Sequence, residues 1–282
     1  MHPLAMLLQA ALGAVAVASG GGAAAPAASS GRRVLIWLYD CNTETMKALQ
    51  NHSSAFTAVA PPMYAVGFNR TTGGAVLTDI GASCADVVHH YLPGIEVWAW
   101  VESPDSMNKT GCPDCEEDEV MRELFARPDA YVAAAKAEAT KWNLTGFQFD
   151  FEAPGQAVNA NKTLWLDTLR FHERFAAALA PQGVLTSVAT MCTANVTGGT
   201  TAAQQRGFCG NGPFNHFNAS ASPAIMAEMV ASTYVQRFIS MGTYGVDPAL
   251  ELNQVDWFMA HFPKQFGRSV HQSDRITIFG YS

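Results

Sequence analysis

Short apolar runs alternate with longer amphipathic segments along most of the chain. Runs of β-branched, aromatic and aliphatic residues predict strands at residues 34–39, 57–66, 95–101, 146–151, 184–191, 238–244 and 276–281. The segments between them predict helices at residues 43–52, 82–91, 119–142, 161–180, 223–235 and 252–266. Strands that alternate with helices pair in parallel through crossover connections, so we expect a parallel sheet covered by helices.

The repeated strand–helix unit predicts an α/β fold of the (β/α)8 TIM-barrel type. Such a barrel closes with eight parallel strands and is typically about 250 residues long. The pattern here supplies seven strands within 282 residues. We therefore expect a barrel domain over residues 32–282 that is missing its eighth strand and last helices. An open doubly wound sheet is the alternative.

The first 31 residues predict a targeting segment rather than part of the domain. Residues 4–18 form an apolar run of signal-peptide length, and small residues suited to cleavage follow it. We expect a signal peptide at residues 1–20 and a small-residue linker at residues 21–31. Because no later run is long and apolar enough to span a membrane, we expect a secreted or lumenal protein, for example a lysosomal one.

Sequons and cysteines favour the same compartment and predict a glycoprotein with disulfides. Asn-x-Ser/Thr sequons begin at Asn51, Asn69, Asn108, Asn143, Asn161, Asn195 and Asn218. The six cysteines are an even number, as a disulfide framework requires, although they allow fifteen pairings. Cys192 and Cys209 bracket a loop-like stretch and are candidates for one disulfide. Cys112 and Cys115 are candidates for another, because no second ligand pair follows to complete a zinc site.

The charge balance narrows the class of partner. A net charge of −7 disfavours nucleic acid and anionic membrane surfaces, which attract basic proteins. The sequence contains no P-loop, no dinucleotide fingerprint and no nucleophile elbow. We expect the protein to use no cofactor and to bind no metal. A neutral, hydroxyl-rich ligand such as a carbohydrate fits this balance, and we expect the protein to be a monomer.

Residues 146–152, Gly-Phe-Gln-Phe-Asp-Phe-Glu, carry the most informative chemistry. Side chains alternate along a strand, which places Gln148, Asp150 and Glu152 on one face and the phenylalanines on the other. In a parallel barrel the polar face points inward, near the carboxyl ends of the strands where such barrels place their sites. Two carboxyls this close have coupled titrations, so Glu152 is a candidate general acid and Asp150 its tuning or orienting neighbour. A buried carboxylate cluster that satisfies a loop or binds a cation is the alternative.

The same stretch resembles the fourth-strand signature D-G-x-D-x-D-x-E of the family-18 glycoside hydrolases, the chitinases and chitobiases. The resemblance implies a carbohydrate substrate with β-linked N-acetylglucosamine, either of the chitin type or an N-glycan, and a substrate-assisted route. By position, Glu152 protonates the glycosidic oxygen, and Asp150 orients the 2-acetamido group whose carbonyl attacks the anomeric carbon. Thr145 and Gln148 stand where the signature has its first and middle Asp. This loss of two carboxylates keeps a non-catalytic, lectin-like carbohydrate-binding barrel as the alternative function.

A second resemblance concerns the sixth predicted strand. Residues 241–244, Met-Gly-Thr-Tyr, resemble the family's M-x-Y-D motif with one residue more. The resemblance implies that Tyr244 contacts the acetamido carbonyl, provided that a bulge restores its register. Gln148, which hydrogen-bonds but carries no charge, is a further candidate for substrate binding.

Aromatic residues near the predicted strand ends are candidates for stacking on sugar faces. Tyr39 on the first strand and Trp100 on the third are the main candidates, and Tyr64 and Trp98 are weighed beside them. For each of them, packing within the core is the competing interpretation, because aromatic side chains fill cores more often than they line sites.

Overall fold

The computed structural model describes residues 35–104, 117–151, 162–190, 232–235 and 237–240. Its strands are β1 (Leu35–Trp37), β2 (Ala58–Ala60), β3 (Pro62–Asn69), β4 (Gly74–Asp79), β5 (Glu96–Glu102), β6 (Gly146–Asp150), β7 (Leu185–Thr190) and β8 (Arg237–Ser240). Its α-helices are α1 (Thr43–Gln50), α2 (Cys84–Tyr91), α3 (Glu117–Ala126), α4 (Asp129–Lys141) and α5 (Lys162–Leu179), with short 3-10 helices at Ser53–Ala55 and Ala180–Gln182. The elements predicted at residues 252–266 and 276–281 lie outside the described residues.

The described strands form one sheet that is parallel apart from a hairpin. The strand order is β1-β2-β5-β6-β7-β8, and each neighbouring pair in this path is parallel. β3 pairs in parallel with β5 and antiparallel with β4. The helices lie in the connections between the parallel strands, so the predicted α/β architecture with a parallel sheet is confirmed.

The strand predicted at residues 57–66 is divided into two. Pro61 separates β2 from β3, and the register with β5 shifts between Pro62 and Tyr64. Proline has no N–H to donate and therefore interrupts a ladder. The Pro61 carbonyl still accepts a hydrogen bond from the N–H of Trp100 at 3.0 Å. As a result, β2 and β3 occupy successive parts of one strand position beside β5.

The hairpin of β3 and β4 differs from the sequence prediction, which has no strand between residues 66 and 95. In its turn, the Asn69 Oδ1 accepts hydrogen bonds from the N–H groups of Thr71 and Thr72 at 2.9 and 3.2 Å. Gly73 adopts a left-handed φ of 65°, which glycine adopts without steric cost. The returning strand is short and mixed in polarity, so its alternation is too weak to predict a strand.

Two predicted helices also need correction. The helix predicted at residues 119–142 is two helices, because Pro128 removes a backbone donor and is tolerated only where α4 begins. The helix predicted at residues 223–235 is wrong at its end, since residues 232–235 are not helical. Among the helices that the structure describes, none is long and apolar enough to cross a membrane.

The sheet is packed on both of its faces. On the helix side, the larger core includes Met46 of α1, Leu124 of α3 and Phe175 of α5. The opposite face, called the inner face below, carries a smaller cluster of Leu35, Ala58, Ala60, Trp98 and Trp100. Trp37 and Leu185 pack against the margin of this smaller cluster. On β5 and β6, alternate residues therefore pack into these two different layers, as the strand period of two requires.

Gly146 allows β6 to pass close to the indole of Trp98 on β5. A Cβ at Gly146 would lie 2.6 Å from the Trp98 Cζ3 atom and 2.6 Å from the carbonyl oxygen of Leu185. Real Cβ atoms do not approach other atoms this closely, so glycine is required here. The close contact between β6 and the Trp98 indole fixes the position of β6, and with it the positions of the residues that follow Gly146.

A disulfide joins Cys41 to Cys84, which connects the segment after β1 to the first residue of α2. The prediction of disulfides is thus confirmed for this pair, which the sequence alone did not select. The candidate pairs at residues 112–115 and 192–209 lie outside the described residues.

The segment between β1 and α1 is also fixed by side-chain hydrogen bonds. Asn42 caps α1 by accepting a hydrogen bond from the N–H of Thr45 at 2.9 Å. The Thr45 hydroxyl donates to Asp40 at 2.7 Å. These contacts hold the chain directly after Tyr39.

Candidate functional site

The predicted alternation of side chains along β6 is confirmed. The phenylalanines at 147, 149 and 151 lie in the helix-side core, where the ring centroid of Phe149 is 4.8 Å from that of Phe175. Gln148 and Asp150 lie on the opposite, inner face. The helix-side contacts anchor the strand, so the two polar residues are presented from a rigid element.

Gln148 is fully buried at the centre of the inner face. Its register partners are Trp100 on β5 and Ser187 on β7. The Gln148 Nε2 donates to the carbonyl of Phe149 at 3.2 Å, which leaves Oε1 as the acceptor of this side chain. Within the described residues, Gln148 Oε1 and the buried Ser187 Oγ have no hydrogen-bond partner. Buried polar atoms are usually paired, so this part of the face is suited to a polar ligand.

Asp150 lies at the carboxyl end of β6 and is 9% exposed. Its register partner is Glu102, the last residue of β5. Neighbouring strands are about 5 Å apart, so the two carboxyl side chains lie next to each other on one face of the sheet. Glu102 is not among the predicted site residues, although the alternation along β5 places it on the same face as Trp100.

Aromatic rings line the inner face at the carboxyl ends of β1 and β5. The indoles of Trp37 and Trp100 stack with centroids 5.7 Å apart and 16° between their planes. Tyr39 meets the Trp100 ring edge-on at 6.0 Å. Tyr39 is 64% exposed and Trp100 is 8% exposed, so the cluster runs from the interior to the surface. Trp37 was not among the predicted site residues, although it shares a strand face with Tyr39.

These groups combine uncharged donors and acceptors with flat apolar rings. The Nε1 atoms of Trp37 and Trp100 are buried donors with no acceptor in the part of the chain that the structure describes. Gln148 Oε1 and Ser187 Oγ supply acceptors on the same face, and Asp150 supplies a carboxyl group at its edge. Aromatic faces with a few placed polar groups are typical of sites for small neutral ligands.

Tyr64 and Trp98 serve the core rather than the site. Tyr64 lies on the helix side, where its hydroxyl donates to Glu138 at 2.7 Å. Burial and the nearby Glu138 carboxylate raise the pKa of the Tyr64 hydroxyl. Trp98 is fully buried, and its Nε1 donates to Glu96 at 3.0 Å. For these two residues the core-packing interpretation is therefore correct.

His172 on α5 is a buried ionisable residue behind β6. Its ring lies 4.8 Å from that of Phe149 and 5.2 Å from that of Phe151. Burial among these rings lowers the pKa of the imidazole to about 3. The side chain is therefore neutral at physiological pH. Because it lies on the helix side of the sheet, it has no direct access to the inner face.

Two of the predicted site residues, Glu152 and Tyr244, lie outside the described residues. Phe151 is described and directly precedes Glu152. Thr145, at the position of the first signature Asp, is part of the backbone ladder, and its N–H donates to the carbonyl of Val97 at 2.8 Å. The structure thus brings together Tyr39, Trp100, Gln148 and Asp150 on one face.

Comparison with known proteins gives matches at the level of structure. No protein-family model and no curated protein matches the chain. A chitinase from Chromobacterium violaceum matches with a TM-score of 0.53 and 14% identity, over 83% of this chain and 65% of the chitinase. The spore cortex-lytic enzyme of Bacillus megaterium matches with a TM-score of 0.51 and 14% identity, over 82% of this chain and 48% of that enzyme.

A GH18 chitinase from Pseudoalteromonas aurantia gives a similar result. Its TM-score is 0.50 at 13% identity, and the match covers 84% of this chain and 77% of that chitinase. At such identities the similarity shows the fold. The chain therefore has the α/β fold of chitinases of the GH18 type, and it spans less than two thirds of the length of the first two proteins.

Proposed function

We propose that the protein is a secreted glycoside hydrolase that cleaves oligo- or polysaccharides containing β-linked N-acetylglucosamine. It acts as a monomer without a cofactor, and its parallel sheet is of the (β/α)8 barrel type. The observation that carries the proposal is the inner face at the carboxyl ends of β1, β5 and β6, where Asp150 accompanies the stacked rings of Trp37 and Trp100. The fold shared with chitinases and the motif of residues 145–152 support it.

Glu152 is the proposed general acid. It stands two residues after Asp150 in the sequence, and the alternation of side chains along an extended chain predicts that the two carboxyl groups share a face. Its proton passes to the glycosidic oxygen as the bond to the anomeric carbon breaks, so the leaving sugar departs as an alcohol. The carbonyl oxygen of the 2-acetamido group attacks the anomeric carbon, and Asp150 orients that group by accepting its N–H. Water then opens the cyclic intermediate, with Glu152 as the general base.

The remaining predicted residues bind the substrate. Tyr39 and Trp100 offer ring faces and edges to the apolar faces of the sugars. Gln148 Oε1 accepts a hydrogen bond from a ligand hydroxyl or amide, which satisfies an otherwise unpaired buried acceptor. Tyr244 donates its hydroxyl to the acetamido carbonyl.

The test of this function compares two substrates that differ only in the acetyl group. The full secreted chain is given a fluorogenic N-acetylchitooligosaccharide and the same oligosaccharide without its N-acetyl groups. We expect hydrolysis of the acetylated substrate alone, with the β-anomer as the first product in proton NMR. Equal rates on both substrates, or an α-anomer formed first, would contradict the acetamido-assisted route.

A non-catalytic carbohydrate-binding barrel is the second candidate. It is favoured by Gln148, whose amide cannot share a proton with Asp150 in the way that a second carboxyl does. This candidate predicts that the protein binds the N-acetylchitooligosaccharide in isothermal titration calorimetry but leaves it intact after prolonged incubation.

A further inference from the structure

We infer that Asn51, Asn69 and Asn143 carry N-linked glycans, and that the glycans at Asn51 and Asn143 lie at the edge of the sheet opposite the proposed site. Each asparagine begins an Asn-x-Ser/Thr sequon, and each is exposed. A glycan is bulky and hydrophilic and must lie in solvent, so exposure of the asparagine is the structural requirement. The inference depends on passage through the secretory route and is independent of any glycosidase activity.

Asn51 and Asn143 lie at the same edge of the sheet. Asn51 follows α1, which connects β1 to β2, and Asn143 follows α4, shortly before β6. A helix that connects two parallel strands returns the chain from their carboxyl ends to their amino ends. Both asparagines are therefore at the amino ends of the strands, whereas Tyr39 and Asp150 are at the carboxyl ends.

The backbone at Asn143 holds its side chain in a defined place. Asn143 has a left-handed φ of 49°, which asparagine adopts more readily than most residues. The residues on either side are anchored, because Trp142 donates its Nε1 to Glu138 at 2.7 Å and Leu144 is buried in the core. Asn143 is thus the exposed residue between two fixed ones.

Asn69 occupies the turn of the β3–β4 hairpin. Its Oδ1 accepts the hydrogen bonds from Thr71 and Thr72, which directs the amide oxygen into the turn. In an N-linked glycan the sugar is attached to the other amide atom, Nδ2, so the turn and the modification are compatible. Arg127, between α3 and α4, donates to the Gly73 carbonyl and so holds the tip of the hairpin. Asn69 is the last residue of β3, which runs parallel to β5 and pairs Ala65 with Glu102 at the end of β5. A glycan at Asn69 therefore projects from the carboxyl-end edge of the sheet.

The three positions differ in their relation to the proposed site. The sequons at Asn51 and Asn143 lie at the amino ends of the strands, whereas Asn69 lies at the carboxyl end of β3. Glycans at Asn51 and Asn143 are therefore directed away from Tyr39.

The test is peptide mapping of the full chain secreted from a eukaryotic host. Enzymatic release of N-glycans in heavy-oxygen water converts each modified asparagine to a labelled aspartate, which mass spectrometry locates. We expect the label at all three positions. The single variants Asn51→Asp, Asn69→Asp and Asn143→Asp should each lose the mass of one glycan. Aspartate retains the acceptor oxygen at position 69 and tolerates the left-handed backbone at position 143.

Matched variants separate loss of the sequon from damage to the fold. Ser53→Thr and Thr71→Ser keep their sequons and should keep the glycan mass, whereas Ser53→Ala and Thr71→Ala should lose it. Unlabelled asparagine at any of the three positions in the secreted protein overturns the inference for that position. Retention of the full chain in the cytoplasm, with its signal segment uncleaved, overturns it for all three.

Discussion

The indole rings of Trp37 and Trp100 stack across the position of an intervening strand. Trp37 belongs to β1 and Trp100 to β5, and β2 lies between these strands in the sheet. On this face β2 contributes only the small side chains of Ala58 and Ala60. The two alanines leave space in which the indoles meet, so the aromatic part of the proposed site depends on small residues as much as on large ones.

Tyr39 is the exposed residue of the aromatic cluster, and removing its ring should weaken the binding of carbohydrate. Tyr39→Ala should weaken binding of an N-acetylchitooligosaccharide by about 0.5–1.5 kcal/mol, or roughly twofold to tenfold, because a stacking surface is lost. Tyr234→Ala is the matched control, since Tyr39 and Tyr234 are the large hydrophobic residues described as exposed, at 64% and 44%. Isothermal titration calorimetry measures both. Equal losses in the two variants would show that Tyr39 has no specific contact with the sugar.

Because β6 passes close to Trp98, a single methyl group added at Gly146 should strongly lower the free energy of unfolding. Gly146→Ala should destabilise the protein by about 1–3 kcal/mol, because its Cβ would overlap the Trp98 ring and the Leu185 carbonyl. Gly74→Ala is the control, since the Cβ there meets only the Thr72 hydroxyl at 3.8 Å. Urea denaturation gives both free energies of unfolding. A Gly146→Ala variant as stable as Gly74→Ala would contradict the described packing.

Much of the fold follows from periodicity, and the exceptions have local causes. The alternation in residues 146–151 predicts which side chains face the helices, and the contact between Phe149 and Phe175 confirms it. Pro61 and Pro128 divide a predicted strand and a predicted helix because proline lacks the N–H that continues either ladder. The hairpin strand β4 was not predicted, since its apolar signal is weak.

For the candidate site, sequence periodicity gives the faces of the strands but not the neighbours of each residue. Asp150, Gln148, Tyr39 and Trp100 lie on the inner face. Trp37, Glu102 and Ser187 join them only through the pairing of distant strands. The order of strands and their register are properties of the whole sheet, and no local pattern contains them.

The buried histidine predicts how stability depends on pH. The pKa of His172 falls from 6.5 in the unfolded chain to about 3 in the folded protein, because burial disfavours the charged ring. Below pH 6.5 the unfolded chain therefore binds a proton that the folded protein does not. The stability that the neutral, buried His172 ring contributes to the folded protein is fully present above pH 6.5. It decreases by up to about 1.4 kcal/mol per pH unit as the pH falls toward 3.

The variant His172→Phe isolates this contribution. Phenylalanine does not titrate and fits among the neighbouring aromatic rings, so the free energy of unfolding should fall less steeply between pH 6.5 and pH 4 than in the wild type. Denaturation at several pH values measures the two slopes. Identical slopes would mean that His172 becomes protonated within the folded protein.

The carboxylate of Glu173 on α5 predicts a specific role in positioning the segment before β8. It accepts hydrogen bonds from the N–H groups of Thr233, Tyr234 and Val235 and from the Ser232 hydroxyl. Residues 232–235 are not helical, and the side-chain oxygens of Glu173 take up their backbone donors instead.

Neutralising this carboxylate should be costly. Glu173→Gln is expected to destabilise the protein by about 1.5–3 kcal/mol, because hydrogen bonds to a charged acceptor are lost. Glu123→Gln is the control, since it removes an exposed ion pair with Arg127, and such surface pairs contribute little to stability. Thermal and urea denaturation compare the two. A smaller effect at Glu173 than at Glu123 would contradict the anchoring role.

The most direct measurement is the rate at which the secreted full chain hydrolyses a fluorogenic N-acetylchitooligosaccharide, beside its Glu152→Gln variant. Glutamine keeps the shape of the side chain, but its amide is not acidic and cannot protonate the glycosidic oxygen. If Glu152 is the general acid, the variant should lose activity by roughly a hundredfold or more while binding the oligosaccharide with unchanged affinity. Equal hydrolysis by both proteins would contradict the account, as would binding without hydrolysis by either of them.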